Sequence, residues 1–224
     1  MVDRVRALGL PLVCALIALT ASLLVFGVIA EDVVGNETRY DQRLADWLHD
    51  GATDPLTDVF RVITFLGGFV TLLAVSLVAA VVLWRRHERK EALFMALAFV
   101  GAQVLTNGMK LAFRRDRPSF PDPLATATTY SFPSGHALVS LAVYGALALL
   151  LARRLPSTAG RVLVFVGAGV LVAAIGFSRL YLGVHFLSDV LAGFAVGIAW
   201  LSLLYVALEL RERYTTRYRA PAKQ

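Results

Sequence analysis

Apolar runs recur along this chain at about residues 7–30, 59–84, 92–113, 133–151, 162–177 and 186–208. A run of roughly 18 to 25 such residues is long enough to cross the hydrocarbon of a bilayer as one helix. The expected fold is all-α: a polytopic membrane protein with six transmembrane helices. The composition agrees, with 58% hydrophobic and 17% charged residues among 224. A net charge of +6 could suit nucleic acid, but the cations cluster in short loops between apolar runs, where they orient helices in a membrane. Nucleic acid is therefore not an expected partner, whereas membrane lipids are. The single cysteine, Cys14, excludes a disulfide within the chain and a thiolate zinc site.

Arg4 and Arg6 precede the first run, and Val28-Ile29-Ala30 could pass for a signal-peptide cleavage site. The run is longer than the roughly 7 to 15 residues of a signal h-region, so a retained first helix is the preferred reading. In the acidic segment that follows, Tyr40, Leu44, Trp47 and Leu48 recur at helical spacing, with Asp41, Arg43 and Asp46 around them. This predicts a short interfacial helix anchored by Tyr and Trp at headgroup depth. Asn36-Glu37-Thr38 matches a glycosylation acceptor, a pattern too common to carry weight. Gly67-Gly68 allows close packing or a local break in the second run. Gly193 and Gly197 form a small-xxx-small pair expected to pack within the chain.

The basic loops containing Arg85, Arg86, His87, Arg89 and Lys90, and then Arg153, Arg154 and Arg161, place one end of the helices inside. The tail, with Arg211, Arg213, Arg217, Arg219 and Lys223, extends that count, so both termini are expected in the cytoplasm. Lys110, Arg114, Arg115 and Arg117 then fall outside, against the charge rule, which asks for a functional reason to keep them there. The loops leave no room for a second domain, and residues 1–224 read as one integral membrane domain.

Three polar islands interrupt the apolar scaffold: Lys110 to Pro118, Pro133 to His136, and Ser178 to Asp189. In the six-helix arrangement all three lie on one side. His185 and Asp189 are four apart, so on a helix they share a face, and the carboxylate can fix the imidazole tautomer and free the other nitrogen for attack. Spacing alone allows equally that the pair merely braces a helix end. Ser134 and Gly135 open a helix whose free N–H groups suit an anion, with His136 beside them as a general acid. An ordinary serine cap would look the same. Lys110 and Arg117 can neutralise phosphoryl oxygens, or snorkel to the membrane surface.

Taken together, Lys110-six residues-Arg117-Pro118, Pro133-Ser134-Gly135-His136, and Ser178-Arg179-five residues-His185-three residues-Asp189 resemble the complete signature of the type 2 phosphatidic acid phosphatase family. No signature position departs from the pattern. The resemblance implies an enzyme that hydrolyses a lipid phosphomonoester or diphosphate. His185 would be the nucleophile forming a phosphohistidine, Asp189 its orienting partner and His136 the proton donor. Lys110, Arg117, Ser134, Gly135 and Arg179 would bind phosphate, with no metal or other cofactor. Arg114 and Arg115 match no signature position and read as secondary contacts or headgroup anchors.

Undecaprenyl diphosphate, phosphatidic acid and phosphatidylglycerol phosphate are candidate substrates, with a slight preference for an isoprenoid diphosphate that no residue decides. The implied location is the inner (plasma) membrane, with the site facing the periplasm or exterior. A lipid phosphotransferase shares the same signature, and a non-catalytic lipid-phosphate binder would need the cations but not the nucleophile. Oligomeric state stays open.

Overall fold

A computed structural model describes residues 2–35 and 39–218. Among these the chain forms α1 (Val2–Val34), α2 (Arg39–Asp50), α3 (Asp54–Leu66), α4 (Phe69–Arg85), α5 (Arg89–Phe113), α6 (Gly135–Ala152), α7 (Thr158–Tyr181) and α8 (Leu187–Tyr218). Six stretches are long and apolar enough to span a membrane: Gly9–Val34, Asp54–Arg85, Arg89–Phe113, Gly135–Ala152, Thr158–Tyr181 and Leu187–Arg211. The fold is thus the all-α, six-span architecture that the apolar runs imply. The Asn36-Glu37-Thr38 acceptor, Arg219 and Lys223 lie outside the described residues, as do the side chains of Arg4, Arg6 and Arg217.

The second span is two helices, α3 and α4, because Gly67 ends one and Gly68 caps the next in extended conformation. Close packing accompanies the break. A Cβ on Gly67 would stand 2.4 Å from Cγ2 of Ile175 and 3.2 Å from Cδ2 of His136, so only glycine lets this corner rest on α6 and α7.

Helix α6 occupies the centre, packed against α4, α5, α7 and α8. Small residues make this possible: Ala98 and Ala102 of α5 and Ala142 and Ala146 of α6 are wholly buried around Leu138 and Val143. Gly193 and Gly197 of α8 face the Ser134 and Leu138 carbonyls at the start of α6, so the small pair packs within the chain. Helix α1 lies against α8. The outer faces of the spans leave residues such as Leu24, Val70 and Leu163 exposed, as lipid contact requires. At the end of the bundle opposite the three islands, Arg154 pairs with Glu88, Arg89 stacks on Trp84 and Arg153 on Tyr205.

Helix α2 differs in phase from the expected stripe. Its protein-facing side is Asp41, Leu44, Ala45 and Leu48, with Leu48 packed among Ala137, Leu180 and Val190, while Tyr40 and Trp47 are exposed on the other side. The stripe divides because Asp41 has a buried partner that holds it inward.

Candidate active site

The C-terminal ends of α5 and α7 and the N-terminal ends of α6 and α8 converge at one end of the bundle. They bring Lys110, Arg179, Ser134 and Asp189 together, and the three islands meet. His185 precedes α8 rather than lying on it, since Leu187 is the first helical residue. Asp189 sits in the first turn, where Oδ2 accepts from the Phe186 N–H at 2.9 Å. This is the back-bond of a capping box, in which a third-position carboxylate satisfies an otherwise orphaned amide. The same oxygen lies 3.2 Å from Nδ1 of His185.

The partners of His185 fix its tautomer. A carboxylate only accepts, so Nδ1 carries the hydrogen; Nη1 of Arg117, 3.2 Å from Nε2, only donates, so Nε2 carries the lone pair. Burial lowers the His185 pKa to about 4, outweighing the opposing hydrogen bond and charge of Asp189. The ring is therefore neutral at physiological pH, with a free pair on Nε2. Burial also lowers the pKa of Arg117.

Arg117 is fixed by its other donors. Nε donates to the Thr129 carbonyl at 2.6 Å, Nη1 to the Val184 carbonyl, and Nη2 to Thr129 Oγ1 and the Tyr130 carbonyl at 3.2 Å each. Lys110 Nζ shares two of these acceptors, Thr129 Oγ1 at 3.0 Å and the Tyr130 carbonyl at 2.6 Å. The returning loop at 129–130 thus holds both cations beside the imidazole. Arg179 is buried with Nη1 donating to Thr64 Oγ1 at 2.7 Å, and its Nε has no partner among the described residues.

Ser134 is the N-cap residue of α6, yet its hydroxyl makes no capping bond and is buried without a partner among the described residues. Its N–H donates to the Asp189 carbonyl at 2.9 Å, which ties the α6 start to α8. Gly135 opens α6 with only Thr106 Cγ2 close to its Cβ position, at 3.0 Å. His136 is half-buried against Gly67, within electrostatic reach of Arg179, His185, Lys110 and Arg117. Two unpartnered buried donors, Ser134 Oγ and Arg179 Nε, and a cluster of cations around two imidazoles suit a tetrahedral anion. A recess of about 800 Å³ opens beside Lys110 and Arg117, lined also by Asn107, Arg115, Thr129 and Tyr130 among others.

Sequence reasoning missed four contributors. Thr64 and Thr129 come from segments with no signature. Arg115, read as a secondary contact or an anchor, is no headgroup anchor: its side chain is 10% exposed and paired with Asp189 and Asp41. Asp41, expected only to lie around the stripe of α2, is buried. Arg114 is exposed and bonds only the Leu111 carbonyl among the described residues. Nor do the described residues form a group of three or more His, Cys, Asp or Glu suited to a metal.

Known proteins are similar to this chain. The PAP2 superfamily model matches residues 91–213. A phosphatidylglycerophosphatase B of Bacillus subtilis is 35% identical over 64% of this chain and 70% of its own length. An undecaprenyl-diphosphatase of Sulfolobus acidocaldarius is 34% identical over 59% of this chain and 62% of its own. The crystal structure of a transmembrane PAP2-type phosphatidylglycerolphosphate phosphatase from Bacillus subtilis covers 88% of this chain and 98% of that one, with a TM-score of 0.81 at 30% identity. The chain belongs to the PAP2 superfamily, as its signature implied, and is a multi-pass membrane protein of the lipid phosphate phosphatase class.

Proposed function

We propose that this chain hydrolyses a lipid phosphomonoester or diphosphate through a phosphohistidine on Nε2 of His185. The observation that carries the reading is the fixed tautomer of His185, with Asp189 behind the ring and Arg117 in front of the free nitrogen. In the first step the Nε2 pair attacks phosphorus, the bond from phosphorus to the leaving oxygen breaks, and that oxygen takes a proton from His136. In the second, water attacks phosphorus, gives its proton to His136, and the P–N bond breaks to release inorganic phosphate. Lys110, Arg117 and Arg179 neutralise the phosphoryl oxygens, and the Ser134 hydroxyl and Gly135 N–H complete the cradle. As a phosphoryl group binds, its oxygens take over the Arg117 N–H that now points at Nε2.

The charge on the phosphoryl group is met by side chains, so the scheme requires neither metal nor other cofactor. Candidate substrates are phosphatidylglycerol phosphate and undecaprenyl diphosphate, after the relatives that carry those names, and phosphatidic acid. The basic residues Arg85, Arg86, Arg153 and Arg154 at the opposite end support an orientation with both termini in the cytoplasm and the site on the outer face of the inner membrane. On this reading residues 1–224 act as one domain.

The test is phosphate release by the purified protein, in excess chelator, from a panel of these lipids beside His185→Ala. Release should survive the chelator and vanish in the variant, and the preferred lipid identifies the substrate. Turnover retained by His185→Ala would refute the nucleophile assignment. Activity lost in chelator and restored by magnesium would refute the metal-free scheme. Phosphate passing to an added acceptor lipid, with none released, would make the chain a phosphotransferase.

A further inference from the structure

Behind the His185–Asp189 pair the charges continue. Asp189 is wholly buried, and while Oδ2 serves His185 and the Phe186 amide, Oδ1 accepts from Nη1 of Arg115 at 2.6 Å. That guanidinium also donates to Ser188 Oγ at 2.7 Å through Nη1 and to Asp41 Oδ2 at 2.8 Å through Nη2. Asp41 in turn accepts from the Ser188 N–H at 3.0 Å through Oδ1 and from the Ser188 hydroxyl through Oδ2. The Arg115 plane lies 4.4 Å from the Phe186 ring centroid. Every charged group in this chain of contacts is at most about one-tenth exposed.

Each link has a physical reason. A buried carboxylate costs several kcal/mol unless its charge is met, and Arg115 meets that of Asp189 on the oxygen His185 does not use. Arg115 without Asp41 would be a buried cation serving two acceptors on one side only, free to rotate its fork away. The guanidinium bridges two carboxylates, Nη1 donating to Asp189 and Nη2 to Asp41, with a rigid planar spread that an ammonium lacks. Asp41 comes from α2, outside residues 91–213 matched by the superfamily model, so the contact supporting the imidazole from behind belongs to the surface helix.

We propose that Asp41 and Arg115 are positioning residues for phosphoryl transfer: by clamping Oδ1 of Asp189, α2 sets the orientation of His185. The proposal rests on His185 being the nucleophile. Arg115 lines the recess beside Lys110 and Arg117, but its guanidinium donors are taken by Ser188, Asp189 and Asp41, so loss of either residue should slow the chemical step and leave binding of the lipid phosphate largely intact.

The experiment measures kcat and KM on the preferred lipid phosphate for the full-length protein carrying Asp41→Asn, Arg115→Lys, both, or His185→Ala, with thermal midpoints and the rate of labelled phosphoenzyme formation. A displaced orienting group at the angstrom scale should lower kcat about ten- to a hundredfold in each positioning variant, with KM within about threefold of wild type. Because both act through one carboxylate, the double variant should be scarcely worse than the poorer single one. Phosphoenzyme formation should slow in parallel. If Asp41→Asn does not fold, Arg115→Lys, which keeps the charge and removes the fork, carries the test alone. Unchanged kcat in folded variants, or losses that multiply in the double, would overturn the proposal while leaving His185→Ala inactive. Turnover surviving in His185→Ala would overturn the nucleophile reading and this proposal with it.

Discussion

Gly193 offers a perturbation whose size can be worked out. It lies one turn beyond Asp189 on α8 and faces the first turn of α6. A Cβ there would stand 2.7 Å from the Ser134 carbonyl oxygen, 3.0 Å from Ala137 Cβ and 3.3 Å from the Leu138 nitrogen. All three atoms are fixed to the backbone, so no rotamer change relieves the contact. Ordinary van der Waals separation begins near 3.4 Å, and Gly193→Ala must therefore push α8 from α6 by about 0.7 Å, an overpacking that costs roughly 1–3 kcal/mol. The displaced parts are the Ser134 cradle on one side and Asp189 on the other, now joined by the 2.9 Å bond between the Ser134 N–H and the Asp189 carbonyl. Misplacement by about an angstrom costs near a hundredfold in rate, so kcat should fall about ten- to a hundredfold. Gly197→Ala is the comparison. Its Cβ would meet the Leu138 carbonyl at 3.0 Å and Leu141 at 3.2 Å, a further turn from the chemistry. It should lower the thermal midpoint with a much smaller loss of kcat. Phosphate release and thermal unfolding of both variants decide the matter. Gly193→Ala with kcat within about twofold of wild type would show that the α6–α8 separation does not set the site's geometry.

The acid limb of kcat/KM, which reports the free enzyme, should fall near pH 4 because that is where buried His185 gains a proton. A limb near the ordinary histidine value of about 6.5 would contradict this assignment. The same depressed value links to stability: the folded ring resists a proton that the unfolded chain accepts, so this contribution is complete above about pH 6.5 and is lost as pH falls toward 4. Ser134→Ala should leave the thermal midpoint unchanged or raised, since the buried hydroxyl has no partner to lose among the described residues. The variant should also raise KM for the lipid phosphate. A lowered midpoint with unchanged KM would show that the hydroxyl serves the fold and not the anion.

The spans were legible in the sequence because bilayer thickness dictates their length, and the grouping of the candidate site residues because they stand at span ends whose alternation puts them on one side. What stayed hidden is how those ends are held. Lys110 and Arg117 share acceptors at Thr129 and Tyr130, and Arg179 donates to Thr64 across 115 positions. A hydroxyl in an apolar run carries no mark of such a partner. Arg115 was ambiguous for a different reason: a cation at the membrane edge reads identically whether it turns to headgroups or to a buried carboxylate.

The signal that could have resolved Arg115 lay in α2. Asp41 shares the phase of Leu44, Ala45 and Leu48, an acidic residue within an apolar face, and taking Tyr40 as the start of the stripe turned that face by one residue. Burying an acid on an apolar face is unfavourable unless a cation meets it. The phase of α2 therefore demands a basic partner from the bundle, and the cations at the end of α5 include one, Arg115, to which the signature gives no task. Charge complementarity between an unexplained buried acid and an unassigned cation is thus a constraint on tertiary structure, and here it leads from the membrane-surface helix to the carboxylate that holds His185.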